Sequence, residues 1–250
     1  VNQTPYSYQE QFLNHLSLDC VVFGFHDSQL KVLLLRMKKT REWALPGGFV
    51  KKDESFEVAA SRVLKERTGL GDIFLKQFKV FSDPLRSREN PAVRDLAEER
   101  PDANLEWFDQ RFVSVGFYAL VDFSRAEPTP DFFSDQCSWK GLDEINRLML
   151  DHTQILNKAL ETLRLQLNYQ PIGYNLLPDK FTMPELQKLY ETILGKGLDR
   201  RNFQRRMLSY GILNKLEGRK TGGAHKSPFL YEFNPENYQK ALQSGLYGGW

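Results

Sequence analysis

The sequence predicts an α+β chain of two parts, a strand-rich N-terminal domain and a small C-terminal domain of the helix-turn-helix-hairpin kind. Three observations predict it. Residues 16–37 hold two β-rich apolar runs around a turn, followed by a Gly-Gly turn, a loop and an amphipathic helix that Gly69 stops. Residues 168–179 are turn-rich and read as a break. Beyond the break two capped helices precede a hairpin with a basic tip. The boundaries are 1–168 for the first domain, 169–178 for a linker and 179–250 for the second.

Bulk composition excludes little. A chain of 250 residues suits one large domain or two smaller ones. Its 41% hydrophobic and 26% charged residues are those of a soluble globular protein. No run reaches the roughly 18 apolar residues of a membrane span. The first eleven residues lack the basic-then-apolar build of a signal peptide, and a first residue other than Met reads as a trimmed start. Cys20 and Cys137 sit in apolar surroundings without a Cys or His at ligand spacing. They read as buried reduced thiols, which suits the cytoplasm.

The elements follow in order. Residues 16–25 and 30–37 form a strand hairpin around His26-Asp27-Ser28. Trp-Ala-Leu-Pro-Gly-Gly (43–48) brings a backbone that can approach a ligand closely at Gly47 and Gly48. Residues 50–54 are a loop, and Asp53 or Ser55 caps the next helix. In residues 56–68 the positions Phe56, Ala59, Ala60, Val63 and Leu64 share one face, and Gly69 ends the helix in the left-handed position.

Gly48, five residues, Glu54, seven residues, Arg62, then Leu64, Glu66, Gly69 and Leu70, with the Trp-Ala-Leu-Pro-Gly-Gly lead-in, resemble the Nudix box. The resemblance implies an α/β/α sandwich around a mixed sheet. In active members, glutamates on this helix hold Mg²⁺, which polarises a diphosphate and activates water. Here Val63 stands where the first glutamate is expected, and Glu66 is followed by Arg67. Valine supplies no ligand. The arginine adds a positive charge, and two unit charges about 4 Å apart repel by roughly 4 kcal/mol at an effective dielectric near 20. Weak metal binding and little or no hydrolysis are therefore expected, with no catalytic residue, no metal site and no cofactor. Glu54 and Glu66 remain, and Glu66 reads either as a residual ligand or as a solvated helix carboxylate.

Residues 73–75 and 78–81 predict a strand. Residues 85–110 are dense in charge, with a short helix expected over 91–100, and read as an insertion. A solvated surface excursion is one reading; a lid or dimer contact is the other. Residues 111–123 form the clearest strand. It resembles the long strand of ADP-ribose-type Nudix domains, in which the leading arginine approaches the ligand, here Arg111; the plain alternative is a strand-end arginine. Residues 128–133 are a loop and Cys137 begins another strand. Asp151 opens a helix carrying Ile155, Leu156, Ala159, Leu160, Leu163 and Leu167. His152 reads as packed at that helix start rather than as a metal ligand, since no second ligand stands at workable spacing.

In the second domain, Thr182-Met-Pro-Glu185 is a capping box opening a helix to about Leu194. Asp199 caps a second helix over 200–209. Strands follow over 212–216 and 229–233, separated by a basic loop over 219–228. From Lys196 to Lys226 nine bases face two acids, a net +7 in a chain whose total is +2, which leaves −5 elsewhere. With Phe203 and Met207 turned inward, Arg200, Arg201, Gln204 and Arg205 face outward. Arginine pairs with guanine and Asn or Gln with adenine, so Asn202 and Gln204 are candidates for the second. Arg219, Lys220, His225 and Lys226 suit phosphate or minor-groove contacts. A solvated basic surface or a protein-docking module is the plainer alternative.

Residues 198–208 with the Gly-Gly wing resemble the Nudix-related transcriptional regulators, whose best-known branch represses NAD-metabolism genes. The resemblance covers nearly the whole chain. It implies a homodimer on a near-palindromic double-stranded operator, with the Nudix-like domain serving as an effector sensor. The effector pocket would use Trp43, Gly47, Gly48, Glu66, Arg67 and Arg111. ADP-ribose is one effector of the family; sugar-responsive branches, arabinose among them, are others. The broken box and the 85–110 insertion point toward a sugar or sugar phosphate and carbohydrate metabolism. The alternative function is an active Nudix hydrolase of a nucleoside diphosphate derivative, using Glu54 and Glu66, with an appended docking domain.

Overall fold

The computed structural model of the chain describes residues 8–71, 73–86, 105–220 and 227–246. The helix expected over 91–100, and the wing residues His225 and Lys226, lie outside them. The described residues form two compact units: those of 1–23, 31–120 and 125–159, and those of 24–30, 121–124 and 160–250.

The first unit is built on a seven-stranded sheet. Its strands are β1 (Phe12–His26), β2 (Gln29–Met37), β3 (Trp43–Ala44), β4 (Gly47–Lys51), β5 (Phe74–Phe81), β6 (Val113–Val121) and β7 (Ser134–Gly141). The order is β3-β2-β1-β6-β5, with β4 paired to β1 and β7 to β2. Strand β1 starts four residues before the expected strand, and its ladder with β4 is irregular between Phe12 and Ser17. Nearly every residue of β6 is buried, which explains its unbroken apolar run.

Helix α1 (Phe56–Thr68) forms as its caps dictate. Ser55 Oγ accepts from the Val58 N–H, and Gly69, at φ 72°, returns its N–H to the Lys65 carbonyl. Ala59, Ala60, Val63 and Leu64 are buried. Its position against β4 depends on Gly48, because a Cβ there would meet Val63 Cγ2 at 2.9 Å. Helix α2 (His152–Gln166) follows β7. Cys20 is buried, as expected, whereas Cys137 is only half-buried because β7 exposes part of its length.

In the second unit, α3 (Met183–Leu194) starts with the expected reciprocal box: Thr182 Oγ1 accepts from the Glu185 N–H and Glu185 Oε2 from the Thr182 N–H. Helix α4 (Arg200–Ser209) starts where Asp199 Oδ1 accepts from the Asn202 N–H at 2.9 Å. Phe203 and Met207 are buried, and the Phe203 ring meets that of Tyr190 edge-on at 5.4 Å. Strands β8 (Phe181–Thr182), β9 (Leu213–Arg219) and β10 (Phe229–Phe233) form a sheet in the order β8-β10-β9. Two elements were not anticipated. β8 is too short to carry a period, and α5 (Pro235–Ser244) is a helix that Asn234 caps with proline in its first turn. Residues 169–178, read as a linker, bury Ile172, Leu176 and Leu177. The Tyr238 hydroxyl donates to the Pro171 carbonyl at 2.8 Å.

Candidate functional site

A cleft of ≈ 380 Å³ opens in the first unit between the Gly-Gly turn, α1 and the start of α2. Gly47, Gly48, Glu66 and Arg67, all expected at the pocket, line it. Gly47 is required there, since a Cβ would lie 2.8 Å from the Leu18 carbonyl oxygen and 3.0 Å from Asp19 Oδ1. Phe12, Phe49, Phe108, Phe112, Phe132 and Phe133 add an aromatic wall. Phe49 meets Trp107 edge-on at 4.7 Å and Phe112 at a tilt at 5.3 Å.

Trp43 and Arg111 are not part of this lining. The Trp43 ring carries the Lys140 ammonium at 4.9 Å. Arg111 precedes β6, is exposed, and donates to the Ser82 carbonyl.

The floor of the cleft holds a buried charge cluster that the sequence did not disclose. Arg86 donates from Nε to Asp151 Oδ2 at 2.9 Å, from Nη2 to Asp19 Oδ2 at 3.1 Å and from Nη1 to the Phe112 carbonyl at 3.1 Å. Ser114 Oγ donates to Asp19 Oδ2 at 2.6 Å. His152 Nδ1 accepts from the Leu45 N–H at 3.0 Å, which assigns the ring N–H to Nε2, and Nε2 faces Asp19 Oδ1 at 3.5 Å. His152 is therefore packed at its helix start, as expected, but it also lines the cleft. One guanidinium set between two carboxylates is how a protein keeps such charges buried at all. The available signal was Asp19, a lone acid in an apolar strand that burial would penalise unless it were paired.

At the described ends of residues 85–110 the same contacts correct the reading as a solvated excursion; residues 87–104 lie outside the described residues. Arg86 and Trp107 are buried, and Phe108 and Phe112 join Trp107 in a core cluster against Phe12, Phe49 and Phe133. The two ends of this stretch are pulled inward because burial of aromatic area outweighs the local charge density.

The fold family implies a divalent metal on α1, and the residues present do not fit one. Val63 offers no donor, and Arg67 puts a guanidinium between Glu66 and Asp131: Nη2 lies 3.6 Å from Glu66 Oε2 and Nε lies 3.9 Å from Asp131 Oδ2. Among the described residues no three His, Cys, Asp or Glu side chains cluster closely enough to hold an ion.

Glu54, the other carboxylate left open as a ligand, is taken by Arg62. Arg62 Nη2 donates to its Oε1 at 2.6 Å and Nε to its Oε2 at 3.1 Å, while the Lys51 N–H donates to Oε1 at 2.7 Å. Arg62 also reaches the Phe49 carbonyl at 2.9 Å, tying β4 and its loop to α1. The Arg62 hydrogen bond, aided by the Lys51 N–H, holds the Glu54 carboxyl below the usual glutamate range. A lowered carboxyl stabilises the fold above its unfolded value and loses that contribution as pH falls through the folded one. The urea midpoint of Glu54→Gln therefore lies below that of the wild-type chain near neutrality. The gap closes below about pH 4, and a gap independent of pH would contradict this assignment.

On α4 of the second unit, Arg200, Arg201, Asn202 and Arg205 are exposed and Gln204 is half-buried. Asn202 Oδ1 accepts from Arg205 Nη2 at 3.0 Å, so these two side chains act as a pair. In the wing, the Arg219 guanidinium lies 4.3 Å from the centre of the Phe229 ring and Lys220 Nζ donates to Glu185 Oε1. The wing bases are thus braced by their own hairpin and by α3, while the α4 arginines project from a helix whose opposite face is anchored by Phe203 and Met207.

The NUDIX domain model matches residues 13–162, more than half of the chain. The chain belongs to the NUDIX family. The NrtR DNA-binding winged helix domain model matches residues 173–233. The architecture is α+β, a NUDIX domain with a mixed sheet followed by a winged helix domain.

Among relatives of this NUDIX protein, the ADPR responsive transcriptional repressor NtrR of Acinetobacter baylyi is 29% identical over 230 residues, covering 89% of this chain and 83% of that protein. The crystal structure of Shewanella oneidensis NrtR complexed with a 27mer DNA aligns with a TM-score of 0.74 at 26% identity, over 94% of this chain and 99% of that one. A MutT/nudix family protein from Enterococcus faecalis shares the fold at TM-score 0.63 and 22% identity, over 94% of this chain and 90% of that one.

Proposed function

We propose that this NUDIX protein is a DNA-binding transcriptional repressor whose cleft senses ADP-ribose and whose binding of that ligand releases the operator. The observation that carries the reading is the exposed Arg200, Arg201 and Arg205 on α4 of the winged helix, held outward by the buried Phe203 and Met207. A helix presented this way enters a major groove with its N-terminal residues at the base edges. The full-length similarity to NrtR in its DNA complex supports the same assignment.

The effector reading rests on the ADPR-responsive relative from Acinetobacter baylyi. The sugar branch inferred from the broken box and the insertion finds no support in that relative, and ADP-ribose replaces it here. The cleft suits such a ligand: an aromatic wall for a base, the Gly47–Gly48 backbone and Arg67 for a diphosphate, and buried polar side chains for hydroxyls. A homodimer presents two copies of α4 to half-sites one helical turn apart, about 34–36 Å. The degenerate metal positions at Val63 and Arg67 support a sensor over a hydrolase.

Selection of random duplexes by the full chain tests this function. Enrichment of a near-palindrome with half-sites about 10 base pairs apart is expected; an unenriched pool contradicts it. In parallel, ADP-ribose incubated with Mg²⁺ or Mn²⁺ should persist, and turnover near or above roughly 1 s⁻¹ would favour the hydrolase.

A further inference from the structure

The disagreement between the NUDIX metal positions and the side chains found there has a consequence for how an anion is held. Among the described residues, three arginines line the cleft. Two are fully engaged. Arg62 is bound by Glu54 and the Phe49 carbonyl at 2.6–3.1 Å. Arg86 is bound by Asp19, Asp151 and the Phe112 carbonyl at 2.9–3.2 Å.

Arg67 differs. Its side chain is only 13% exposed, yet its contacts are long. Nη1 lies 3.4 Å from the Pro130 carbonyl and 3.5 Å from the Glu66 carbonyl. Its ion-pair distances to Glu66 and Asp131 are 3.6 and 3.9 Å. Its Nε–H is buried and finds no hydrogen-bond acceptor among the described residues. A largely desolvated guanidinium with weakly used donors is costly by itself and strongly favourable to an incoming oxyanion, because its planar fork matches phosphate oxygens two at a time.

We infer that Arg67 takes the place of the divalent cation: it receives the diphosphate of the bound nucleotide directly, and effector binding needs no metal. This rests on the ADP-ribose reading of the cleft. Arg67 stands one helical turn after Val63 on α1, and both line the cleft. On binding, phosphate oxygens replace the long contacts to Glu66 and Asp131, and the Nε–H gains its acceptor. The two carboxylates then face the diphosphate as repelling neighbours rather than as ligands of a bridging ion. Arg67 and Glu66 thereby acquire opposite signs. Loss of Arg67 weakens binding, whereas neutralising Glu66 strengthens it; in a metal-bridged site loss of Glu66 would weaken binding.

Calorimetric titration of ADP-ribose into the full chain, in EDTA and in excess MgCl₂, tests this. The wild-type dissociation constants are expected to agree within about twofold, Arg67→Gln to bind roughly 10- to 100-fold more weakly in both buffers, and Glu66→Gln to bind about two- to fivefold more tightly. Thermal melts establish that both variants fold, and the comparison of buffers needs only the wild-type chain. Binding that appears only with Mg²⁺ would overturn the role of Arg67 and leave the ADP-ribose reading standing. So would an Arg67→Gln that binds as wild type, or a Glu66→Gln that binds more weakly. No binding in either buffer would overturn the ADP-ribose reading, and the inference with it.

Discussion

Arg200→Ala combined with Arg201→Ala abolishes sequence-specific retention of operator DNA while leaving the protein folded. Each arginine that makes a paired contact with guanine contributes about 1–3 kcal/mol of discrimination, so losing two costs roughly 2–6 kcal/mol, about 30-fold to beyond 10⁴-fold in affinity. Both side chains are exposed at the start of α4, and its stabilising contacts lie elsewhere, in Asp199, Phe203 and Met207. The thermal midpoint should therefore hardly move, since exposed substitutions away from such contacts stay within about 0.5 kcal/mol. Mobility-shift titration against operator and scrambled duplexes separates loss of specificity from loss of charge. If Arg200 and Arg201 contact only phosphates, both duplexes weaken alike and the salt slope drops by about 2. Specific binding retained at wild-type strength would move the reading head away from α4.

Arg86→Ala should be the most damaging single change in the NUDIX domain. It strips the Arg86 guanidinium from between the buried Asp19 and the half-buried Asp151 and leaves the two carboxylates beside His152 without it. Breaking a buried pair by removing one partner costs about 3–5 kcal/mol, because the remaining charge keeps its desolvation penalty. The whole folding stability of such a domain is only about 5–15 kcal/mol. Urea denaturation of the full chain should show the NUDIX transition moving to much lower urea. A loss below about 1 kcal/mol would mean that water, rather than Arg86, satisfies Asp19 and Asp151.

The elements legible in the sequence were those specified locally. α1 could be read because Ser55, the three-four spacing of Ala59, Ala60, Val63 and Leu64, and Gly69 all lie within fifteen residues. α3 and α4 could be read for the same reason, from the Thr182–Glu185 box, the Asp199 cap and the Phe203–Met207 pair. The substitutions at Val63 and Arg67 were visible because a spacing of fixed length says where a carboxylate should stand.

The charge cluster was not legible. Asp19 and Arg86 are 67 residues apart and Arg86 and Asp151 are 65 apart, and no local period links them. Arg86 read as surface because it opens a stretch dense in charge, and Trp107 and Phe108 were lost in the same stretch. Only the fold shows that both ends of it turn inward. Arg111 stayed open in the sequence for a related reason. A strand-end arginine can point either way, and in the fold it donates to the Ser82 carbonyl and does not line the cleft. Helix α5 does carry a local signal, the Asn234 cap followed by Pro235 in the first turn.

The central claim is that ligand in the cleft governs DNA held by the winged helix. Titration of ADP-ribose into the complex of the full chain with labelled operator, followed by fluorescence anisotropy, tests it most directly. The account predicts that saturating ADP-ribose weakens DNA binding about a hundredfold, a coupling of roughly 2.7 kcal/mol. Operator affinity left unchanged at ADP-ribose concentrations that saturate the cleft would contradict it.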